Sequence, residues 1–131
     1  MDFYYDEAHQ IYYISNERSH SITQWVIGDE EPRNIYAGIP GRPGNSSAQL
    51  EYPRGLQLDQ YGNLYVADVS NHRIQMFCPN EVFAITIAGT GHGGKSSSKL
   101  SYPSDVAFDS ELNLYVSDTF NDRIQKFARI K

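Results

Sequence analysis

The sequence predicts an all-β fold made of β-propeller blades, about three four-stranded antiparallel sheets in an incomplete or open ring. Three observations predict this fold. A unit of roughly fifty residues recurs along the chain, the short strand-like runs are apolar on both faces, and no segment keeps a helical period over three turns. Strands that are apolar on both faces need cover on both sides, which favours blades wedged between neighbouring blades over a two-sheet sandwich.

The repeat is clearest in the second and third copies. Residues 50–77 align with residues 100–127 without a gap, and half of the aligned positions are identical. An older copy opens the chain, in which Ile11-Tyr12-Tyr13 aligns with Leu64-Tyr65-Val66. The alignment of this copy needs an offset of one residue, which we place after Tyr13. We therefore predict one propeller segment over residues 1–131, with blades at about 2–49, 50–99 and 100–131, the last of them incomplete.

Each blade is predicted to be a meander of four strands. Runs rich in β-branched and aromatic residues, bounded by Asp, Asn and Gly, are the signal. In the second copy the predicted strands are Gly55–Leu58, Leu64–Ala67, Arg73–Phe77 and Val82–Ala88. Because the third copy stops at Lys131, soon after its third strand, we expect an unpaired sheet edge there.

The composition bounds the function. The chain has 131 residues with a net charge of −5, 10 Tyr and a single cysteine, Cys78. The aromatic content is too high for a disordered tail, and the apolar runs are too short for a membrane span. A lone cysteine makes neither an intrachain disulfide nor a thiolate metal site. No signal peptide is evident at the start, which leaves the compartment open, the cytoplasm being slightly favoured.

These repeat residues resemble a known family. The second copy is similar to an NHL repeat in three runs: Tyr52-Pro53-Arg54-Gly55, Asp59 to Asp68, and Asn71-His72-Arg73. The copy at 103–127 is similar too, but there Leu112 replaces the turn glycine and Asp122 replaces the histidine. Members of the family fold as β-propellers, usually of six blades. The resemblance implies that this chain carries about half of such a ring.

The recurrent polar residues of the repeat are predicted to be structural. Asn and Asp side chains accept backbone N–H bonds in turns, and Arg reaches a nearby Asp with charge-assisted bonds. A catalytic residue is needed once, whereas these residues recur in successive blades. The predicted hairpin-stabilising residues are Asp68, Asn71 and Arg73, with Asp118, Asn121 and Arg123. In the first copy we place Ser15, Ser19 and Ser21 at these positions.

No catalytic, cofactor or metal site is predicted, and we expect a protein that is not an enzyme. The run Gly89–Gly94 satisfies G-x-G-x-x-G, but no helix pattern follows it, so we interpret it as a loop between blades. The four histidines do not make a ligand set, because only His20 and His72 share a repeat position. No Ser lies in a nucleophile turn.

The predicted function is a binding module that recognises a protein or peptide through its rim loops. The candidate binding residues lie in the turn between the second and third strands of each blade: His20, His72, Phe120 and Asp122. An aromatic residue in an exposed turn, as predicted for Phe120, either packs against a neighbour or binds a partner.

Alternatives from other classes stay open. The resemblance implies that such blades could select substrates or bind RNA within a tripartite-motif ubiquitin ligase, although the negative charge opposes RNA binding unless Arg18, Arg33, Arg42 and Arg54 cluster. A metal-dependent peptidyl-hydroxyglycine lyase is a further alternative. Three blades cannot close a ring, so either the chain is part of a longer propeller or two copies associate to complete one.

Overall fold

The computed structural model describes residues 1–129, which form eleven strands and three short 3₁₀ helices. The strands are β1 (Phe3–Asp6), β2 (Ile11–Asn16), β3 (Ser21–Val26), β4 (Asn34–Gly38), β5 (Pro53–Leu58), β6 (Leu64–Asp68), β7 (Arg73–Phe77), β8 (Ile85–Gly89), β9 (Pro103–Phe108), β10 (Leu114–Asp118) and β11 (Arg123–Phe127). The 3₁₀ helices are Glu17–Ser19, Val69–Asn71 and Thr119–Asn121. No helix in this part of the chain is long and apolar enough to cross a membrane.

The strands form three separate antiparallel sheets, each a meander in chain order. β1–β4 make the first sheet, β5–β8 the second, and β9–β11 a third sheet with three strands in the described residues. We refer to these sheets as blades 1, 2 and 3. The predicted all-β fold of stacked blades in an open array is confirmed. The expected free edge at Lys131 lies outside the described residues.

Two strand boundaries in blade 2 differ from the prediction by two residues or more, and β6 and β8 each end one residue later than predicted, at Asp68 and Gly89. β5 begins at Pro53 rather than Gly55, and β8 begins at Ile85 rather than Val82. The first cross-strand pair of β7 and β8 joins Met76 to Ile85, so the preceding residues are needed to reverse the chain. Val82 lies in that connection and is 68% exposed, which shows that its apolar character does not reflect a strand position.

The turn between the first two strands of a blade is held by one aspartate. In blade 2, Asp59 accepts hydrogen bonds from the backbone N–H groups of Tyr61 and Asn63 through Oδ1, each at 2.9 Å, and from the Asn63 amide through Oδ2. Gly62 completes the turn with φ +86°, in the left-handed region. Blade 3 repeats this network around Asp109. Hydrogen bonds from the side chain and backbone of Asn113 lower the pKa of Asp109 to about 2.

The hydrophobic core lies between the blades rather than within one sheet. One cluster joins blade 1 to blade 2, with the buried residues Tyr13, Ile22, Ala37, Leu50, Leu56, Leu64, Val66 and Phe77. A second joins blade 2 to blade 3, with Ala67, Ile74, Ala88, Leu100, Val106, Leu114 and Val116. Blade 2 is therefore covered on both faces by its neighbours, as the apolar character of its strands predicts.

The first strands of neighbouring blades approach closely. At Gly55, the first residue predicted for β5, an added Cβ atom would lie 2.6 Å from the Asp105 Cα atom of β9 and 2.8 Å from the Ser104 carbonyl oxygen. These distances leave no room for a side chain, so glycine allows the two strands to come together. β5 and β9 thus lie at the narrow end of the wedge that the blades form.

Candidate functional site

The predicted site residues all lie in one turn that occurs once in each blade. In this turn the second strand ends in a 3₁₀ helix of three residues, and the next residue adopts left-handed backbone before the third strand begins. That residue is His20 (φ 58°), His72 (φ 53°) or Asp122 (φ 51°), and its N–H group bonds to the carbonyl oxygen three residues earlier. The turns place three equivalent sets of side chains on one rim of the blade array.

In blade 2 the polar residues of the turn surround Asp68. The Arg73 Nε atom donates to Asp68 Oδ2 at 2.8 Å, and the Asn71 amide donates to the same oxygen at 2.9 Å. Asp68 Oδ1 accepts from the backbone N–H group of Glu51 at 2.7 Å. The carboxylate of Asp68 is fully buried, and Arg73 is only 8% exposed. The pair therefore braces the hairpin of β6 and β7.

The same residues also hold the segment that connects blade 1 to blade 2. The two Arg73 Nη atoms donate to three carbonyl oxygens of this segment, at 3.0–3.1 Å, and Asn71 donates to a fourth. The accepting carbonyls belong to Gly44, Asn45, Ser46 and Gln49. This clamp on the connecting segment was not predicted from sequence, because backbone carbonyls carry no residue signature.

Blade 3 repeats the clamp with more solvent around it. Arg123 donates to Asp118 at 2.6 Å and to the carbonyl oxygens of Lys95, Ser96 and Lys99, but it is 30% exposed. The difference in burial affects the carboxylates. Burial raises the pKa of Asp68 against the opposing effect of its hydrogen bonds. In Asp118 burial also acts to raise the pKa, but the hydrogen bonds to the carboxylate outweigh it and the pKa is lowered.

Blade 1 lacks this charged network, and its alignment with the other blades needs a correction. Asn16 pairs with Ser21 across β2 and β3 as Asp68 pairs with Arg73 across β6 and β7, so Asn16 and not Ser15 occupies the aspartate position. The extra residue of the first copy lies in the turn between β1 and β2, not after Tyr13. Asn16 bonds instead to the Thr23 hydroxyl at 3.0 Å.

The two histidines connect one blade to the next. The backbone N–H group of Tyr52 donates to His20 Nδ1, and that of Tyr102 donates to His72 Nδ1, both at 3.1 Å. Each imidazole packs edge-on against the ring of the same tyrosine, at centroid distances of 4.6 and 4.4 Å. His20 is buried, and both histidines use one ring nitrogen inside the protein, which leaves less of each available to a partner.

An exposed aromatic group lies on this rim. Phe120 is 69% exposed, and its ring lies against that of Tyr102 with the centroids 4.4 Å apart. Tyr52 holds the Tyr102 position one blade earlier and is 47% exposed. We call Tyr52, Tyr102 and Phe120 the aromatic rim. The two tyrosines were not predicted as site residues. Each tyrosine precedes a proline, Pro53 or Pro103, and this recurrence could have indicated a site residue. The same recurrence is equally typical of a core position.

The other sequence-predicted features are placed as follows. Gly89–Gly94 leads from β8 into the segment between blades 2 and 3, as interpreted from the sequence. Within residues 1–129 no three or more His, Cys, Asp or Glu side chains group as metal ligands would. Of the four arginines considered for RNA, Arg33 pairs with Asp29 at 2.7 Å and Arg54 with Glu17 at 3.4 Å. Carboxylates thus offset two of the four positive charges.

A cleft of about 1080 Å³ lies between blades 1 and 2, lined by β4 and by the turns that join the first two strands of each blade. Three of its ionisable side chains serve the turns, since His9 Nδ1 lies 2.8 Å from Asp6 and Asp59 holds its own turn. Because these groups serve the turns, the aromatic rim is the stronger candidate for recognition.

This architecture defines a class of protein: an all-β repeat protein whose blades stack face to face in an open propeller array. The NHL repeat family model matches residues 50–77 and 100–127, the second and third copies of the unit. The chain therefore contains two NHL repeats, in blades 2 and 3.

Curated relatives match part of the chain. NHL repeat-containing protein 2 from Bos taurus is 36% identical over 73 residues, and the Homo sapiens protein of the same name is 35% identical over 72 residues. These alignments cover 55% and 54% of this chain, and 10% of each relative. The match therefore spans about a tenth of the length of these relatives.

Solved structures share the fold over nearly the whole chain. A structural genomics protein of unknown function from Bacteroides thetaiotaomicron has a TM-score of 0.82 at 18% identity, covering 96% of this chain and 34% of its own. An auxiliary nutrient binding protein from Bacteroides ovatus has a TM-score of 0.76 at 20% identity, covering 98% of this chain and 37% of its own. At these identities the likeness concerns the fold alone.

Proposed function

We propose that the chain is a non-enzymatic recognition module that binds a protein or peptide through its aromatic rim. The observation that carries the proposal is Phe120, an aromatic side chain that is 69% exposed although the backbone on either side of it is firmly held. Large exposed aromatic side chains on rigid loops are typical of protein-binding surfaces, because they bury much apolar area with little loss of conformational entropy.

The backbone around Phe120 is fixed by several bonds. Its own N–H group donates to the Ser101 carbonyl oxygen at 3.1 Å, and the adjacent Thr119 hydroxyl bonds to the Ser104 hydroxyl at 2.7 Å. Asp122 continues the turn in left-handed conformation. A side chain held in this way is presented in one place before a partner arrives, which reduces the ordering cost of binding.

The rim also varies between blades in a way that suits recognition. The Phe120 position is Ser70 in blade 2 and Arg18 in blade 1, whereas the clamp beneath it is shared by blades 2 and 3. A scaffold that is kept constant while its exposed residue changes separates the folding role from the binding role. The predicted candidate residue Phe120 is thus central to the proposal, whereas His20 and His72 support the tyrosines.

A displayed library of random peptides tests the proposal. Peptides selected on the wild-type chain are expected to bind the Phe120→Ser variant at least tenfold more weakly, because the substitution removes the exposed ring and installs the side chain that blade 2 tolerates at this position. The control is Phe83→Ser, since Phe83 is 66% exposed in the loop before β8, away from the rim. Unchanged binding by Phe120→Ser, or a library that yields no selected peptide, would overturn the proposal.

A further inference from the structure

The two interfaces inside the chain follow one pattern. The later blade presents five apolar side chains, which we call its front face. In blade 2 these residues are Leu56, Leu58, Leu64, Val66 and Phe77, and in blade 3 they are Val106, Phe108, Leu114, Val116 and Phe127. The earlier blade presents an aromatic residue, a small residue and an isoleucine, which we call its rear face. In blade 1 these residues are Tyr13, Ser15 and Ile22, and in blade 2 they are Tyr65, Ala67 and Ile74.

Blade 3 keeps a complete rear face that no blade covers within residues 1–129. Its residues are Tyr115, Ser117 and Ile124, at the same three repeat positions. Ile22 and Ile74 are fully buried, whereas Ile124 is 66% exposed. A shallow hollow of about 160 Å³ lies over this face. The pattern specifies the occupant, because in both internal interfaces a rear face of this kind packs against a front face.

Blade 1 keeps the matching front face, and no other blade of the described part of the chain covers it. The residues at the five front positions are Phe3, Tyr5, Tyr12, Ile14 and Trp25, so every position is aromatic or large and aliphatic. Three of the rings pack together, with centroid distances of 5.9 Å for Phe3 and Tyr12 and 4.5 Å for Tyr5 and Tyr12. Phe3 is 63% exposed.

We propose that a second copy of this chain covers both faces, with blade 1 of each copy packed on blade 3 of the other. One chain carries both halves of the interface, which is the requirement for head-to-tail association. Two such contacts, related by a twofold axis, join two sets of three blades into a closed ring of six. The aromatic rim is outside both faces, so this inference is independent of the proposed recognition function.

The mass of the chain in solution tests the proposal. Sedimentation equilibrium over a concentration series is expected to show a species of twice the 14.9 kDa chain mass. Phe3→Asp places a charge in the front face, and Ile124→Asp places one in the rear face. Each variant is expected to weaken association at least a hundredfold while keeping the far-ultraviolet circular dichroism of the wild type, because both side chains are exposed within a single copy. Phe83→Asp is the matched control and is expected to associate as the wild type does.

Mixing the two variants distinguishes head-to-tail pairing from nonspecific association. In each variant alone, both interfaces of a ring carry a substitution. In the mixture, the front face of the Ile124→Asp chain meets the rear face of the Phe3→Asp chain, and that interface is unaltered. The mixture is therefore expected to form dimers at concentrations where neither variant does. A wild-type chain that stays monomeric, a control that dissociates equally, or a mixture that shows no recovery would each overturn the proposal.

Discussion

In each of blades 2 and 3, one arginine donates hydrogen bonds to backbone carbonyl groups that lie outside the strands. Arg73 bonds to a carboxylate through Nε and to three carbonyl oxygens through its Nη atoms. The planar guanidinium offers five donors in a fixed fork, whereas a lysine ammonium is a single point of charge. The Asp68 carboxylate fixes the orientation of that fork, so the ion pair positions the donors that hold the connecting segment.

Asp68→Asn is expected to destabilise the protein by about 3 kcal/mol, because it leaves the Arg73 charge buried without its partner. Asp118→Asn makes the same change in blade 3, where Arg123 is 30% exposed and water can solvate its charge. We therefore expect this variant to lose only about 1 kcal/mol of unfolding free energy. Urea unfolding of both variants measures the difference. Equal losses would show that burial of the arginine does not govern the energy of the clamp.

At the scale of the strand and turn, Leu112 adopts a backbone conformation that its glycine counterpart in blade 2 adopts without strain. Gly62 supplies left-handed backbone in the turn between β5 and β6, but the equivalent residue between β9 and β10 is Leu112, with φ 63°. Left-handed backbone places the Cβ atom of an ordinary residue against its own chain. The rest of the turn is unchanged, because Asp109 makes the same bonds as Asp59.

Leu112→Gly is expected to stabilise the protein by about 1 kcal/mol by removing this strain. The reciprocal change, Gly62→Leu, is expected to destabilise it by a similar amount. Thermal or urea unfolding checks both. A stabilising effect of Gly62→Leu would contradict the assignment of the cost to backbone conformation.

The elements that could be predicted from sequence are those set by local chemistry. The Arg73–Phe77 strand was predicted with its observed bounds because short-range strand signals define it. The early start predicted for β8, at Val82, was wrong because exposed apolar residues precede the first pair with β7. The alignment of blade 1 was wrong because only its apolar skeleton is shared, which does not locate an extra turn residue. The clamp on the connecting segment and the tyrosine–histidine contacts depend on partners more than twenty residues away in the chain, and no local pattern identifies those partners.

The whole molecule depends on interfaces between blades. Each internal interface combines apolar packing with one hydrogen bond near the rim, from a tyrosine N–H group to a histidine Nδ1 atom. Nδ1 accepts this bond only when it carries no proton. Burial lowers the pKa of His72 below its ordinary value of 6.5, assisted by His92 and opposed by Asp68. The unfolded chain therefore takes up a proton on this histidine at a higher pH than the folded chain does.

Stability is accordingly expected to fall as the pH decreases below about 6.5, because the contribution of His72 is complete above that value and is lost toward its lower folded pKa. His72→Asn keeps a side-chain acceptor and tolerates left-handed backbone, but it does not titrate. We expect the variant to lose part of the pH dependence between pH 7.5 and 5 when unfolding free energies are compared. An identical dependence in both proteins would exclude His72 as a source of it.

The clamp on the connecting segment has a consequence for the order of events during synthesis. The carbonyls of Asn45 and Ser46 leave the ribosome well before Arg73, which is 27–28 residues further along the chain. The arginine donors of the clamp therefore reach the segment between two blades only after the third strand of the later blade has begun to emerge. In blades 2 and 3 each completed hairpin supplies the clamp for the segment made before it, so we expect this part of the growing chain to become ordered one blade at a time.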